Sequence, residues 1–274
     1  MPFATSSPIF HWHFDPIALS LGPLQIHWYG ICWGLAFLTA EFGVRRRLAS
    51  IERRDVDVSA LVVCALLGTI IGARLAHCLF YDPAFYLAHP LKILAIWEGG
   101  MASHGGAVGL IAAVAWAAPR YAPGLAPLTL LDAAAPASAF GATLIRGANF
   151  LNSEIVGNPT SGHWGVVFDS VDALPRHPVQ LYEAAAYLLV LAALRFAARR
   201  DALARRGELT GLFLVLVFSA RAVIETWKTP QAVYEAGHAI TVGQWLSVPF
   251  VLLGLALVIR ARRQPGLPAV SNAR

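Results

Sequence analysis

The sequence predicts an all-α integral membrane protein. Of its 274 residues, 57% are hydrophobic and only 14% are charged, which is less charge than the surface of a soluble domain carries. The apolar residues fall in blocks of roughly 17 to 25, the helix length that crosses a hydrocarbon layer about 30 Å thick. Helices are expected because the backbone N–H and C=O groups at the edges of an open sheet would have no hydrogen-bond partners in lipid. Residues 1–274 are therefore predicted to form a single polytopic membrane domain.

Seven apolar blocks predict about seven transmembrane helices. They cover residues 27–44, 58–80, 104–119, 124–146, 178–198, 209–227 and 241–262. The fourth block carries Asp132 and Pro136 in an Ala-rich run, which is compatible with a broken helix buried by its neighbours. The less apolar segments near 81–103, 147–177 and 228–240 hold Pro, Gly, Asn and Asp, so they are predicted to be outward-facing loops.

Arginine clusters predict the orientation of the chain, because Lys and Arg in short loops are retained on the cytoplasmic side. The three clusters follow the first block, surround the connection between the fifth and sixth, and follow the seventh: Arg45, Arg46, Arg47, Arg53 and Arg54; Arg195, Arg199, Arg200, Arg205 and Arg206; Arg260, Arg262 and Arg263. Seven spans put all three inside, with the N-terminus outside and the C-terminus in the cytoplasm. Attraction to anionic lipid headgroups explains the net charge of +5, so nucleic-acid binding is not expected.

Polar residues within the predicted spans share one depth, near the outer face. They are His27, Tyr29, Arg74, His77, His104, Arg146, Tyr182, Glu183, Arg221, Glu225 and Gln244. All seven predicted helices contribute to this layer. Because ionisable side chains are costly to place in a membrane, each is a functional candidate. The pattern predicts a site that faces the outer leaflet.

Plainer roles are open for several polar residues. Tyr29 suits an interfacial aromatic belt. Arg221 and Glu225 stand one helical turn apart, so they could form a structural ion pair. Arg176 and Lys228 lie in predicted loops and are expected to be solvated charges.

The stretch Gly99–Gly109 surrounds His104 with glycines. Glycines permit unusual dihedrals and would let a ligand approach the backbone closely. Small residues for tight helix packing would explain the later glycines but not the histidine. An imidazole titrates near neutral pH, so His104 suits general-base catalysis.

The stretch Arg146–Gly157 concentrates hydrogen-bonding groups just beyond the fourth block. The guanidinium of Arg146 offers a planar fork of donors to a phosphate. Asn149, Asn152 and Glu154 could bind hydroxyl groups or orient that arginine. A phosphate-bearing ligand at the membrane surface is therefore predicted.

These residues carry a resemblance to a known family. The Arg146–Gly157 segment resembles the signature of the prolipoprotein diacylglyceryl transferases, bacterial inner-membrane enzymes of lipoprotein maturation. Gly105-Gly106 after His104 is similar to their histidine-glycine-glycine motif. Further similar segments are His27–Gly30, His177–Glu183, Arg221 with Glu225, and Gly243–Ser247. The resemblance runs from the first span to the last.

The resemblance implies transfer of the diacylglyceryl group of phosphatidylglycerol to the lipobox cysteine of a preprolipoprotein, forming a thioether and releasing glycerol phosphate. Such a reaction needs a thiolate and a holder for anionic phosphate. His104 is expected to act as the base or to orient the headgroup, Arg146 as the main headgroup ligand, and Arg221 as a second phosphate contact. Further candidates for substrate binding are Tyr29, Asn149, Asn152, Glu154, Gly157 and Glu225.

The chain departs from the family pattern at two places. Gly147-Ala148 follows Arg146 where the family usually has a bulky residue and then glycine. Val217 stands one turn before Arg221, where some members carry a tyrosine. Another residue or water would have to replace that phenol.

Two other functions compete with this interpretation. A different outer-leaflet lipid-headgroup transferase would use the same arginines and histidine, whereas a transporter would spread its polar groups across the membrane. No metal site is expected because the histidines lack ligand spacing, and no cofactor is expected. The predicted partners are phosphatidylglycerol, the lipobox peptide and membrane lipids, and the predicted location is the bacterial inner membrane.

Overall fold

The computed structural model describes residues 10–22, 24–51, 53, 55–80, 83–96, 100–199, 205–229 and 241–264. Within these residues it is mainly helical. The helices are α1 (Trp28–Ala49), α2 (Val58–Phe80), α3 (Pro83–Ala88), α4 (Ser103–Tyr121), α5 (Pro127–Leu151), α6 (Val179–Ala198), α7 (Glu208–Ile224) and α8 (Val242–Arg263). Each of the seven predicted blocks is helical, and α3 is an addition. Residues 230–240, part of one predicted loop, lie outside the described residues.

Five of the described helices, α2, α5, α6, α7 and α8, are long and apolar enough to cross a membrane. Large side chains on their faces remain exposed, as lipid contact requires; Phe80, Leu189 and Leu252 are examples. The protein is therefore an all-α membrane protein, as the sequence predicts.

The fourth predicted helix is continuous and not broken. Helix α5 runs through Pro136 to Leu151, five residues beyond the predicted end. Asp132 is fully buried, and its carboxylate accepts hydrogen bonds from the backbone N–H of Gly207 and Thr210 and from the Thr210 hydroxyl, at 2.6–2.8 Å. These donors at the start of α7 satisfy the carboxylate, so its charge needs no break in α5.

The segments before α1 and between α5 and α6 contain strands that the sequence analysis did not predict. Strand β1 (Phe10–Trp12) pairs parallel with β4 (Val166–Phe168), which pairs antiparallel with β5 (Pro175–Arg176). Strands β2 (Ile17–Leu21) and β3 (Leu24–His27) form a hairpin that leads directly into α1. Short strands between apolar blocks carry too few alternating residues to be recognised from periodicity.

An aromatic cluster attaches the three-stranded sheet to the end of α5. The ring centroid of Phe150 lies 4.5 Å from that of Trp12 and 5.6 Å from that of Phe168. Val166 and Val156 complete the cluster. The end of α5, where the Arg146–Gly157 stretch lies, is therefore held by the sheet.

The described chain divides into two compact units. One comprises Met1–Ala40 and Leu131–Arg274, and the other Glu41–Leu130. In the first unit, small residues of α5 such as Ala135 and Ala139 pack against Tyr187 and Leu191 of α6 and Val217 of α7. Alanines at the contact let the helices approach each other closely.

In the second unit, α2 and α4 pack backbone to backbone through four glycines. A Cβ added to Gly72 would overlap the carbonyl oxygen of Gly105, and one added to Gly68 would overlap that of Gly109. The glycine after His104 therefore has a packing reason. This matches the plainer explanation of the glycine-rich stretch.

Substitution of Gly72 by alanine should separate α2 from α4 and lower the thermal midpoint of the purified protein in detergent. The overlap is with backbone atoms that cannot move aside, so a loss of about 1–3 kcal/mol is expected. Gly34→Ala in α1 is the matched control, because a Cβ there meets nothing within 4 Å. Equal midpoints for the two variants would contradict the packing argument.

Candidate active site

Four chain segments of the first unit meet at one end of its helices. They are the last turns of α5, the first turn of α6, the 3-10 helix Glu225–Trp227 that follows α7, and the first turn of α8. The arginine clusters lie at the opposite end of these helices. Arg262, near the end of α8, contacts Glu208 at the start of α7, with 3.5 Å between Nε and Oε1. The polar and the arginine-rich ends are therefore separated by the length of α7.

A chain of hydrogen bonds runs from Arg146 into the loop after α5. The guanidinium of Arg146 donates to Asn149 Oδ1 at 3.0 Å, and Asn149 Nδ2 donates to Glu154 Oε2 at 3.1 Å. Asn152 Nδ2 donates to Glu154 Oε1 at 3.3 Å. The structure thus brings together four predicted site residues, with Glu154 accepting from both amides and Asn149 orienting the arginine.

The loop is held in a tight turn by its neighbours. Ser153 and Ile155 have positive φ angles of 55° and 54°, which non-glycine residues adopt only where the surroundings hold them. Gln180 of α6 donates from Nε2 to the Glu154 carbonyl at 2.6 Å. A Cβ on Gly157 would lie 2.5 Å from the His177 carbonyl oxygen, so close packing explains this glycine, and its contact with substrate stays a prediction.

A buried carboxylate links the arginine to a lysine. Glu183 is fully buried, and its Oε2 lies 2.9 Å from Arg146 Nε while its Oε1 lies 2.9 Å from Lys228 Nζ. Lys228 Nζ also lies 3.1 Å from Glu225 Oε2. Two cations and two carboxylates therefore form one neutral chain, which is how charges are tolerated away from water.

Arg221 differs from Arg146 in having free donors. It lies on α7 one turn before Glu225 and is half-buried, and its side chain makes no hydrogen bond or ion pair with any residue that the structure describes. The alternative ion pair with Glu225 is not formed, because Glu225 pairs with Lys228. An unpaired guanidinium in a polar layer is a ready receptor for an anion.

Glu225 is seated against the first turn of α8. A Cβ on Gly243 would overlap the Glu225 carboxylate in its present position, so this glycine lies directly against the carboxylate. Thr241 and Gln244 form a capping box at this helix start, and Gln244 Nε2 donates to the Ala222 carbonyl of α7 at 3.1 Å. These contacts tie α8 to the end of α7.

Tyr29 lies in the first turn of α1, half-buried. Its ring centroid is 6.5 Å from that of Trp33 on the same helix, and the ring of Trp28 approaches Phe14 at 6.2 Å. Aromatic neighbours of this kind suit an interfacial belt. A substrate contact of the Tyr29 hydroxyl stays a prediction.

In the second unit, Arg74 organises the segment before α4. It is 4% exposed, and its guanidinium donates to the carbonyl oxygens of Lys92, Ile93 and Gly100. Gly100 has a φ of +72° and lies against the ring of His77. Arg74 and His77 therefore have structural contacts in this segment. His104 is the second residue of α4, but its side chain lies outside the described residues, so its role stays a prediction.

Most of the chain matches one known protein family. A family model described as prolipoprotein diacylglyceryl transferase matches residues 16–260. A phosphatidylglycerol–prolipoprotein diacylglyceryl transferase of Tolumonas auensis is 49% identical over 92% of this chain and 98% of its own length. Proteins of the same name from Chloroherpeton thalassium and Nitrosomonas europaea are 42% and 40% identical over 97% and 95% of this chain, and over 99% and 94% of their own lengths.

The chain belongs to the prolipoprotein diacylglyceryl transferase family. The match includes every predicted site residue, from Tyr29 to Glu225, and it confirms the resemblance seen in the sequence. The structure accommodates the departure from the family pattern that follows Arg146. Ala148 is fully buried, and an added Cβ on Gly147 meets nothing within 4 Å, so the small residues leave the turn of Arg146 and Asn149 intact.

Two predictions about loop charges in this family member are wrong. Lys228 is 8% exposed and makes two ion pairs. Arg176 pairs with Asp172 and donates to the Gly157 carbonyl at 3.0 Å. Lys228 and Arg176 both follow polar or proline-rich segments, and such segments suggest a solvated loop. The two side chains are enclosed only because the loop folds onto α6 and α7.

Sequence reasoning also missed Tyr187. This residue of α6 is 3% exposed, packs in the same cluster as Val217, and lies close to the charge of Arg146. It also lies in the electric field of Glu183 and Arg221. A phenol from α6 thus stands near the place where some family members carry a tyrosine on α7. The only signal for Tyr187 in the sequence is its position one helical turn after Glu183.

The Asp172–Arg176 pair predicts an acid-sensitive loop between α5 and α6. Hydrogen bonds from Arg176 hold the pKa of Asp172 below its ordinary value. The pair therefore stabilises the loop above the unfolded pKa, and this stabilisation is lost as pH falls through the folded value. The protection of the β4 amides, corrected for the intrinsic exchange rate at each pH, should fall below about pH 4, which hydrogen–deuterium exchange would measure. In Asp172→Asn this acid step should disappear; its persistence would point to another group.

Proposed function

We propose that this protein is the phosphatidylglycerol–prolipoprotein diacylglyceryl transferase of its bacterium, acting at the outer face of the inner membrane. Membership of the family and the names of its relatives support this activity. The lipobox cysteine of a preprolipoprotein is the acceptor. The observation that carries the proposal is the neutral charge chain ending at Arg146, together with an Arg221 that pairs with none of the described residues.

Seven helices, α1, α2 and α4–α8, span the membrane in this proposal. The N-terminus lies outside and the C-terminus in the cytoplasm. Support comes from the arginines at the end of α8 and before α7, which share one end of the first unit, as the positive-inside rule requires. The end with Arg146 and Glu183 then faces the outer leaflet.

The reaction is a substitution at carbon. The cysteine thiol gives its proton to a base, and the thiolate sulfur forms a bond to the terminal glycerol carbon of the diacylglyceryl group. The bond from that carbon to the phosphate oxygen breaks, and its electron pair leaves on glycerol phosphate. Negative charge grows on the leaving phosphate, so catalysis requires cations placed where that charge develops.

Arg221 and Arg146 hold the phosphate in complementary ways. Arg221 receives it directly, because its donors are unpaired among the described residues. Arg146 is oriented by Asn149 and Glu183 and offers its remaining donors. Preorganised donors of this kind lose little entropy on binding. Asn152, Glu154, Tyr29 and Glu225 bind the glycerol hydroxyls or position the arginines.

His104 takes the thiol proton in this mechanism. Its position at the start of α4 puts it at the outer end of that helix in the proposed orientation. A neutral imidazole is the side chain best suited to this proton transfer near neutral pH.

Transfer should be measured by mass spectrometry of a lipobox peptide incubated with phosphatidylglycerol and the purified protein. Wild type should add a diacylglyceryl thioether, and Arg146→Ala, Arg221→Ala and His104→Ala should each lose about 100-fold or more in kcat/KM. Arg195→Ala is the matched control, because Arg195 is exposed at the opposite end of α6. A wild type that makes no thioether, while another family member does, would contradict the proposal and direct attention to other lipids.

Tyr187→Phe should lower kcat by about tenfold, because it removes one hydroxyl beside a charged guanidinium while keeping the ring. The peptide-transfer assay measures the effect. Tyr121→Phe, at the far end of α4 from His104, is the control. A fully active Tyr187→Phe variant would show that the phenol does not support Arg146.

A further inference from the structure

Lys228 is held in place by its backbone and by its side chain. Its backbone N–H donates to the Glu225 carbonyl at 3.1 Å, and the residue forms an isolated antiparallel bridge with Gly157. Its ammonium is enclosed and contacts Glu183 and Glu225. A flexible lysine side chain loses much rotamer freedom in such a site. The enclosed position of Lys228 therefore needs an explanation other than solvation of a loop charge.

The Glu183 carboxylate is shared between two cations that have different constraints. Its Oε1 lies 2.9 Å from Lys228 Nζ with hydrogen-bond geometry. Its Oε2 lies equally close to Arg146 Nε, yet receives no hydrogen bond from the described residues. The Arg146 contact is therefore an ion pair without a directed bond. Moving Arg146 away from Glu183 toward another anion would sacrifice charge attraction to this carboxylate but no linear hydrogen bond to it.

An incoming phosphate competes with Glu183 for Arg146. If Arg146 were the sole partner of Glu183, lipid binding would leave a fully buried carboxylate without compensation, which is strongly unfavourable. Lys228 remains paired with Glu183 whatever Arg146 does. Glu225, seated against Gly243, in turn keeps the ammonium in position.

We propose that Lys228 is a positioning residue: its ammonium compensates Glu183 and so frees Arg146 to bind the phosphate of the donor lipid. This rests on the proposed function, in which Arg146 is a phosphate ligand. Lys228 itself touches no reacting atom. Its effect should appear in lipid binding, and binding of the lipobox peptide should not change.

The test compares Lys228→Met, which removes the charge, with Lys228→Arg, which keeps it, and with Arg195→Met as a control for loss of a cation elsewhere on the chain. Lys228→Met should raise KM for phosphatidylglycerol by about tenfold or more, with KM for the lipobox peptide unchanged. Lys228→Arg and Arg195→Met should stay within about threefold of wild type. Native mass spectrometry with phosphatidylglycerol should show low lipid occupancy in Lys228→Met and occupancy near that of wild type in Lys228→Arg and Arg195→Met.

A double variant separates charge compensation from a purely structural role. Lys228→Met with Glu183→Gln removes both partners of this pair, so no Glu183 carboxylate is left without a cation when Arg146 binds phosphate. It should fold and bind phosphatidylglycerol more tightly than Lys228→Met alone. Thermal midpoints report folding, and a Lys228→Met variant that fails to fold is expected to be rescued by the same second change.

Three results would overturn the inference: wild-type lipid binding by Lys228→Met, equal defects in Lys228→Arg and Lys228→Met, or a double variant weaker than the single one. The lipid occupancies do not depend on turnover. If wild type binds phosphatidylglycerol but forms no thioether, the proposed function fails, and the occupancies still decide the role of Lys228.

Discussion

The Glu183 carboxylate is the group on which the rest of the site depends. It is fully buried, and it is tolerated because Arg146 and Lys228 approach it from two different segments. A buried charge of this kind stabilises a fold only when all of its partners are in place. The requirement therefore fixes the end of α5, the start of α6 and the segment after α7 relative to one another.

The loop after α5 completes that arrangement with hydrogen bonds. Asn149 and Glu154 connect Arg146 to the turn, and Gln180 holds the turn from α6. The sheet of β1, β4 and β5 packs on Phe150 and covers the same helix end. The proposed site for an anionic lipid is thereby built on rigid elements, where the cations are oriented before the ligand arrives.

Helix packing elsewhere relies on small residues. Alanines of α5 meet α6 and α7, while glycines of α2 and α4 bring two backbones into contact. In lipid the apolar effect does not drive helices together, so close van der Waals contact has to do so. The same residues explain why the glycines around His104 are needed even without a ligand.

Hydropathy by itself determined that this is a helical membrane protein, and motif spacing determined its family, because both depend only on local sequence. Arg146, Asn149, Asn152 and Glu154 were also identified from sequence as one constellation. Only the tertiary structure decided which charges pair: Lys228 is enclosed, and Arg221 makes no pair within the part of the chain that the structure describes. Pairing depends on contacts between helices distant along the chain, and burial in such contacts leaves no periodic signal in the sequence.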